Sequence, residues 1–164
     1  MKKQNKIILG IGILAIMFLV YQFGKAFAPG SYPYAEMYEI NAPEKEVIKA
    51  IEQFKTSHSN YIVPNVTINN NGSFSMSESE GRKENSYWYL NYFYFQKENQ
   101  IVFTWTRPSG KNKTDLALVS INQGLDLGKW KDVNNDFDYS ENKEIKTKFE
   151  KRILIPIKHL LKVK

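Results

Sequence analysis

The chain has 164 residues, 42% hydrophobic and 14% aromatic, enough for one ordinary domain with a genuine core and a short appendage. It contains no cysteine, which excludes disulfides, thiolate metal sites, cysteine nucleophiles and an acylated-cysteine anchor. The net charge of +6 sits at the ends: residues 1–28 hold four lysines and no acid, 29–142 hold 11 basic and 15 acidic groups, and 143–164 hold eight basic and two acidic groups. A nucleic-acid binder carries its positive charge as a patch on the folded body, so no nucleic-acid partner is expected.

Residues 1–28 read as a membrane segment. A basic lead, Met1 to Lys6, precedes Ile7–Phe23, which carries no charge and only Gln22 among its strongly polar side chains. As a helix that run spans roughly 25 Å, enough for a bilayer core once Lys25 reaches the interface. Ala26-Phe27-Ala28 has the form of a signal-cleavage site. The apolar run is longer than a signal core, however, and Pro29 follows the scissile position, so an uncleaved anchor is expected. The positive-inside rule then places the N-terminus in the cytoplasm and the remainder outside, as a single-pass inner-membrane protein. The alternative is a secreted chain released at Ala28. Residues 29–34, with Pro29, Gly30 and Pro33, form a linker, and 35–164 form the extracytoplasmic domain.

Ala35–Ile40 alternates as a strand. A helix begins around Pro43, capped by Asn41 or Ala42 and favoured by Glu44 and Glu46, with Val47, Ile48, Ile51 and Phe54 on one face to about Lys55. His58 follows in a polar turn. Tyr61–Ile68 contains a short strand that Pro64 confines to an edge. Asn69 to Asn85 is rich in Asn, Ser and Glu and is expected to be a long mobile loop.

Tyr87–Phe95 and Ile101–Arg107 form an aromatic hairpin around Lys97-Glu98-Asn99. A three-residue loop with Asn99 left-handed pairs Phe93 with Phe103 and Asn91 with Trp105; a four-residue loop shifts the register by one. With both sheet faces covered, Phe103→Ala is expected to cost about 3–5 kcal/mol. Pro108–Lys113 turns the chain into a third strand, Thr114–Asn122, and Leu125–Asp132 is a short extended piece carrying Trp130. The last helix runs from Tyr139 to Leu161 behind an Asp138/Glu141 capping box, with a stripe of Ile145, Phe149, Ile153, Ile157 and Leu160. Pro156 kinks or splits it near Arg152. The fold class is α+β: an antiparallel sheet of three to five strands with one helix before it and a long C-terminal helix, behind an N-terminal transmembrane segment.

No chemistry-bearing motif is complete. Gly110-Lys111 lacks the first glycine and the Ser/Thr of a phosphate loop, with Trp105 and Asn112 at those places. Asp132 to Asp138 places oxygens at alternate positions as in a calcium loop, but Phe137 and Lys143 stand where glycine and glutamate belong. His58 and His159 belong to no metal or nucleophile motif, and Glu36, Glu39 and Asp115 are the acids on or beside strands. No catalytic, metal or cofactor residues are assigned. The aromatics are first of all a way to bridge sheet and helices. As a site they describe a concave sheet face holding an apolar or glycan ligand, with Tyr92, Tyr94 and Trp105 as walls and Arg107 and Lys111 at the rim. Cations in the C-terminal helix suit its dipole and a solvated face, anionic lipid contact being the alternative.

Three stretches, PGSYPYAEMYEINAPEKEVIKAIEQFK, SYWYLNYFYF and VFTWTRPSGKNKT with INQGLDLGKWKDVN, give the chain its resemblance to a family. Over most of residues 29–155 it resembles small uncharacterised membrane-anchored envelope proteins of Bacteroidetes bacteria. The resemblance implies an envelope setting and an aromatic α+β domain, and it supplies no catalytic residues. The expected function is a membrane-tethered, non-enzymatic protein that binds another envelope component, be it protein, lipid or glycan. An apolar-ligand or glycan module is second, and a hydrolase with a hidden site third.

Overall fold

The computed structural model describes residues 10–21 and 32–163. Residues 10–21 are helical, and no helix among the described residues is long and apolar enough to cross a membrane. Both ends of the expected span Ile7–Phe23, and most of the linker at 29–34, lie outside the described residues. Residues 34–164 form one compact unit, and every member of its two apolar clusters falls between Tyr38 and Val163. That unit therefore carries its own core.

Its order is β1 (Glu36–Ile40), α1 (Glu44–Ser57), β2 (Val66–Ile68), β3 (Asn71–Phe74), β4 (Gly81–Arg82), β5 (Tyr89–Phe95), β6 (Gln100–Gly110), β7 (Lys113–Gln123), β8 (Asp126–Leu127), β9 (Trp130–Asp132), α2 (Tyr139–Phe149) and α3 (Ile155–Leu161). This is an α+β fold. The main antiparallel sheet runs β1-β7-β6-β5-β4, with β9 also paired to β7; a second sheet runs β3-β2-β8. The six-stranded main sheet exceeds the three to five strands expected, because the two-residue β4 and three-residue β9 are too short to leave a periodic pattern.

Helix α1 starts after Pro43, which itself occupies the cap position in place of Asn41 or Ala42. It buries Val47, Ala50, Ile51 and Phe54, the i, i+3, i+4, i+7 stripe. These side chains meet Phe93, Phe95, Val102, Leu116, Leu118 and Ile121 on one face of the sheet. Asp138 and Glu141 close the expected capping box of α2. Between α2 and α3 the chain does not break. Glu150–Leu154 widens into a π turn, in which Ile155 donates its N–H to the Glu150 carbonyl. The wide turn sits just ahead of Pro156, which has no N–H for the carbonyl four residues back. One residue is absorbed there, so Leu154 joins Phe149, Ile153 and Ile157 in the core. Leu160, expected in the stripe, is 40% exposed, and Leu161 packs inward instead.

The β5–β6 turn spans four residues, so Phe93 pairs with Val102, Tyr92 with Phe103 and Asn91 with Thr104. Asn99 is left-handed as expected (φ 52°), but the register is the shifted one. Phe103 thereby leaves the helix-facing layer. The Asn69–Asn85 stretch is not a structureless loop: it holds β3, a short 3-10 turn at Met76–Ser79 and β4. Asn69 and Asn70 are both left-handed (φ 52° and 57°) and make the tight β2–β3 turn. Upstream, only Val66–Ile68 of the expected Tyr61–Ile68 strand is extended in a ladder; Ser59–Tyr61 is a 3-10 turn and Pro64 lies between.

Candidate functional site

The face of the main sheet away from α1 is where the aromatic excess collects. Tyr92 on β5 and Phe103 on β6 are cross-strand partners, and their rings stack with centroids 5.0 Å apart. Trp130 on β9 stands edge-on to Phe103 at 6.1 Å and tilted to Tyr92 at 6.3 Å. A bulge makes the third floor position. Phe103 pairs with Ser120 while Thr104 pairs with Leu118, which leaves Val119 as the extra residue of β7. In a regular strand Leu118 and Ser120, two residues apart, would share a face. With the bulge, Leu118 and Ile121 enter the helix-side core and Ser120 turns beside Phe103.

The second sheet supplies the walls. Ile68 and Phe74 come from β2 and β3, Leu127 from β8, and Met76 and Ser79 from the 3-10 turn. Together with Tyr92, Phe103, Ser120 and Trp130 they bound a cleft of about 510 Å3. Its lining is mainly apolar, with the Ser79 and Ser120 hydroxyls, the Tyr92 phenol and the Trp130 indole as its polar side-chain groups. Val63, Val66, Met76 and Ile101 form the buried cluster against which Phe74, Tyr92, Leu127 and Trp130 of the cleft pack.

Two polar anchors hold the walls. Asp126 accepts from Thr67 Oγ1 and from the Asn70 N–H, both at 2.9 Å, and these bonds keep its carboxyl below the usual range. Glu80, directly after the 3-10 turn, accepts from the Tyr92 N–H at 2.9 Å and pairs with Lys55 of α1. Burial lowers the Lys55 pKa while the Glu80 charge opposes the shift. The Lys55 ammonium also lies 5.0 Å from the Phe93 ring centroid. The cleft wall is thus tied through one carboxylate both to the sheet edge and to the helix on the opposite face.

Of the expected ligand residues, only Tyr92 lines this cleft. Tyr94 donates to Asn99 Oδ1 and borders a smaller hollow of about 230 Å3 with Tyr61 and Arg152. Trp105 is 3% exposed, packed edge-on to Trp88 at 6.2 Å. Arg107 lies over Trp105 and Tyr87 and pairs with Asp115 at 3.0 Å, while Lys111 is exposed in the β6–β7 turn. The pairs Leu90–Trp105, Tyr92–Phe103 and Tyr94–Ile101 put Tyr92, Tyr94 and Trp105 on one sheet face, but spaced along it, with Tyr94 towards the β5–β6 turn and Trp105 at the other end beside Trp88. Phe103 and Trp130 take the places that Tyr94 and Trp105 were given.

His58 caps α1: its Nδ1 is 3.1 Å from the Phe54 carbonyl and its ring stacks on Phe54 at 4.7 Å. The strand acids each hold a cation, Glu36 with Lys146, Glu39 with Lys113 and Asp115 with Arg107. Among the described residues, no group of three or more His, Asp or Glu can hold a metal ion. No protein-family model, no curated protein and no solved structure matches this chain.

Proposed function

We propose that residues 34–164 are a non-enzymatic binding module of the bacterial envelope, whose cleft at Tyr92, Phe103 and Trp130 takes an apolar group of another envelope component. The observation that carries this reading is the cleft itself. Three aromatic rings meet in a space of about 510 Å3, within the range of small-ligand sites. Its walls favour an apolar ligand over a glycan. A pyranose presents hydroxyls around its ring, and each loses free energy when taken from water without a partner. The few polar groups of Ser79, Ser120, Tyr92 and Trp130 cannot serve a full ring of them.

The test is fluorescence titration of residues 34–164 with N-phenyl-1-naphthylamine, an uncharged apolar probe, alongside a soluble chito-oligosaccharide. The naphthylamine binds saturably; Trp130→Ala weakens it about tenfold or more, the worth of one well-buried aromatic contact. Ser120→Leu, which fills the floor, abolishes it. Non-saturable partitioning, or preference for the oligosaccharide, removes the reading.

The tether belongs to the same proposal and rests on the basic lead and the uncharged run Ile7–Phe23. The full chain stays with membranes through a carbonate wash, and a reporter active only outside the cytoplasm, fused after Lys164, gives signal. Release of a shorter soluble chain would favour cleavage at Ala28 instead.

A further inference from the structure

The cations of the C-terminal helix fall into two sets. Lys146 pairs with Glu36, Lys148 with Glu144 and Glu98, and Arg152 makes a two-pronged bond to Glu98 at 2.9 and 3.0 Å. Lys143, Lys151, Lys158 and Lys162 make no ion pair among the described residues, and neither does His159. Lys151, Lys158 and Lys162, together with His159, surround one apolar residue. Ile155 is 45% exposed, with Lys151 one turn before it and Lys158, His159 and Lys162 at i+3, i+4 and i+7. Leu160, 40% exposed, stands about 140° round the helix from Ile155. The π turn produces this arrangement, since the residue it absorbs turns Ile157 and Leu161 inward and leaves Ile155 and Leu160 outside. Lys162 ends the helix in the left-handed conformation (φ 56°) where glycine is usual.

We infer that this surface rests on an anionic lipid bilayer. Unpaired lysines around an exposed aliphatic side chain match a membrane surface on both counts: the phosphates take the charges and the headgroup boundary takes Ile155. A nucleic acid would take the charges and leave the aliphatic side chain wet. The surface is independent of the aromatic cleft, so either can fail alone.

The experiment is co-sedimentation of residues 34–164, which carry their own core, with vesicles of phosphatidylcholine alone or mixed with phosphatidylglycerol. The anionic vesicles bind at least about tenfold more tightly, and high salt removes the difference as the screening length shortens. Changing Lys151, Lys158 and Lys162 together to Gln removes about tenfold or more of that binding, at about fivefold per cation near the surface. The matching triple change to Arg keeps it, and Ile155→Ser weakens it a few-fold at unchanged charge. Equal binding to both vesicle types, an unaltered triple Gln variant, or tighter binding to duplex DNA than to anionic vesicles would overturn the inference.

Discussion

Phe93→Ala lowers the unfolding free energy of the domain by about 3–5 kcal/mol, the cost of a large buried ring and the cavity it leaves. Phe93 is 0% exposed at the centre of β5, edge-on to Phe54 of α1 at 6.3 Å and beneath the Lys55 ammonium. Removing the ring takes apolar contacts from α1 and an aromatic face from a largely buried cation. A domain of this size holds roughly 5–15 kcal/mol in all, so soluble yield falls with it. Phe103→Ala is the comparison. Its ring is half-buried over an open cleft, so its truncation costs well under half as much and acts mainly on probe binding. Urea denaturation of the two variants reads both numbers. Equal losses would mean that the cleft floor is core, and a Phe93 loss below about 1 kcal/mol would mean that α1 is not docked as described.

Asn122→Ala costs about 3 kcal/mol or more, although it removes only an amide. Asn122 is 0% exposed on β7 and serves three backbone groups of the following loop. Its Nδ2 donates to the Gly124 and Asp126 carbonyls at 3.0 and 3.2 Å, and its Oδ1 accepts from the Lys129 N–H at 2.8 Å. Each buried group left without a partner costs about 1–3 kcal/mol. Asn122→Asp is the sharper variant, because it sets a carboxylate oxygen against two carbonyls while matching Asn in size. The loop carries Leu127 and leads into Trp130, so naphthylamine affinity falls together with stability. A variant of normal stability with a loosened cleft would show that the amide orders only the loop.

What was legible in the sequence was local. The capping box needs only Asp138 and Glu141, α1 needs only its stripe, and the β5–β6 hairpin announces itself in composition. Its register was not legible, since one residue more or less in the turn changes every partner and Asn99 is left-handed either way. The cleft was hidden for a different reason. Ser120 faces it only because Val119 is bulged, and the walls come from strands of two to four residues fixed by Asp126 and Glu80, far away in sequence. One signal was available. Asn69-Asn70 between Ile68 and Asn71 is a pair suited to a tight hairpin turn, within a stretch whose composition otherwise reads as loop.

The parallel pairing of β2 with β8 has a kinetic consequence. Strands β5, β6 and β7 close through short turns between chain neighbours, whereas β2 meets β8 only after the whole meander lies between them, with Thr67 opposite Asp126. Such a contact closes a long loop and is rewarded by two residue pairs. The meander is therefore expected to form first, with the small sheet docking on it afterwards. By the same ordering the small sheet is the first part to detach in the native state, exchanging its amide hydrogens through openings far smaller than global unfolding. That wall of the cleft can open by this ordering while the six-stranded sheet stays whole.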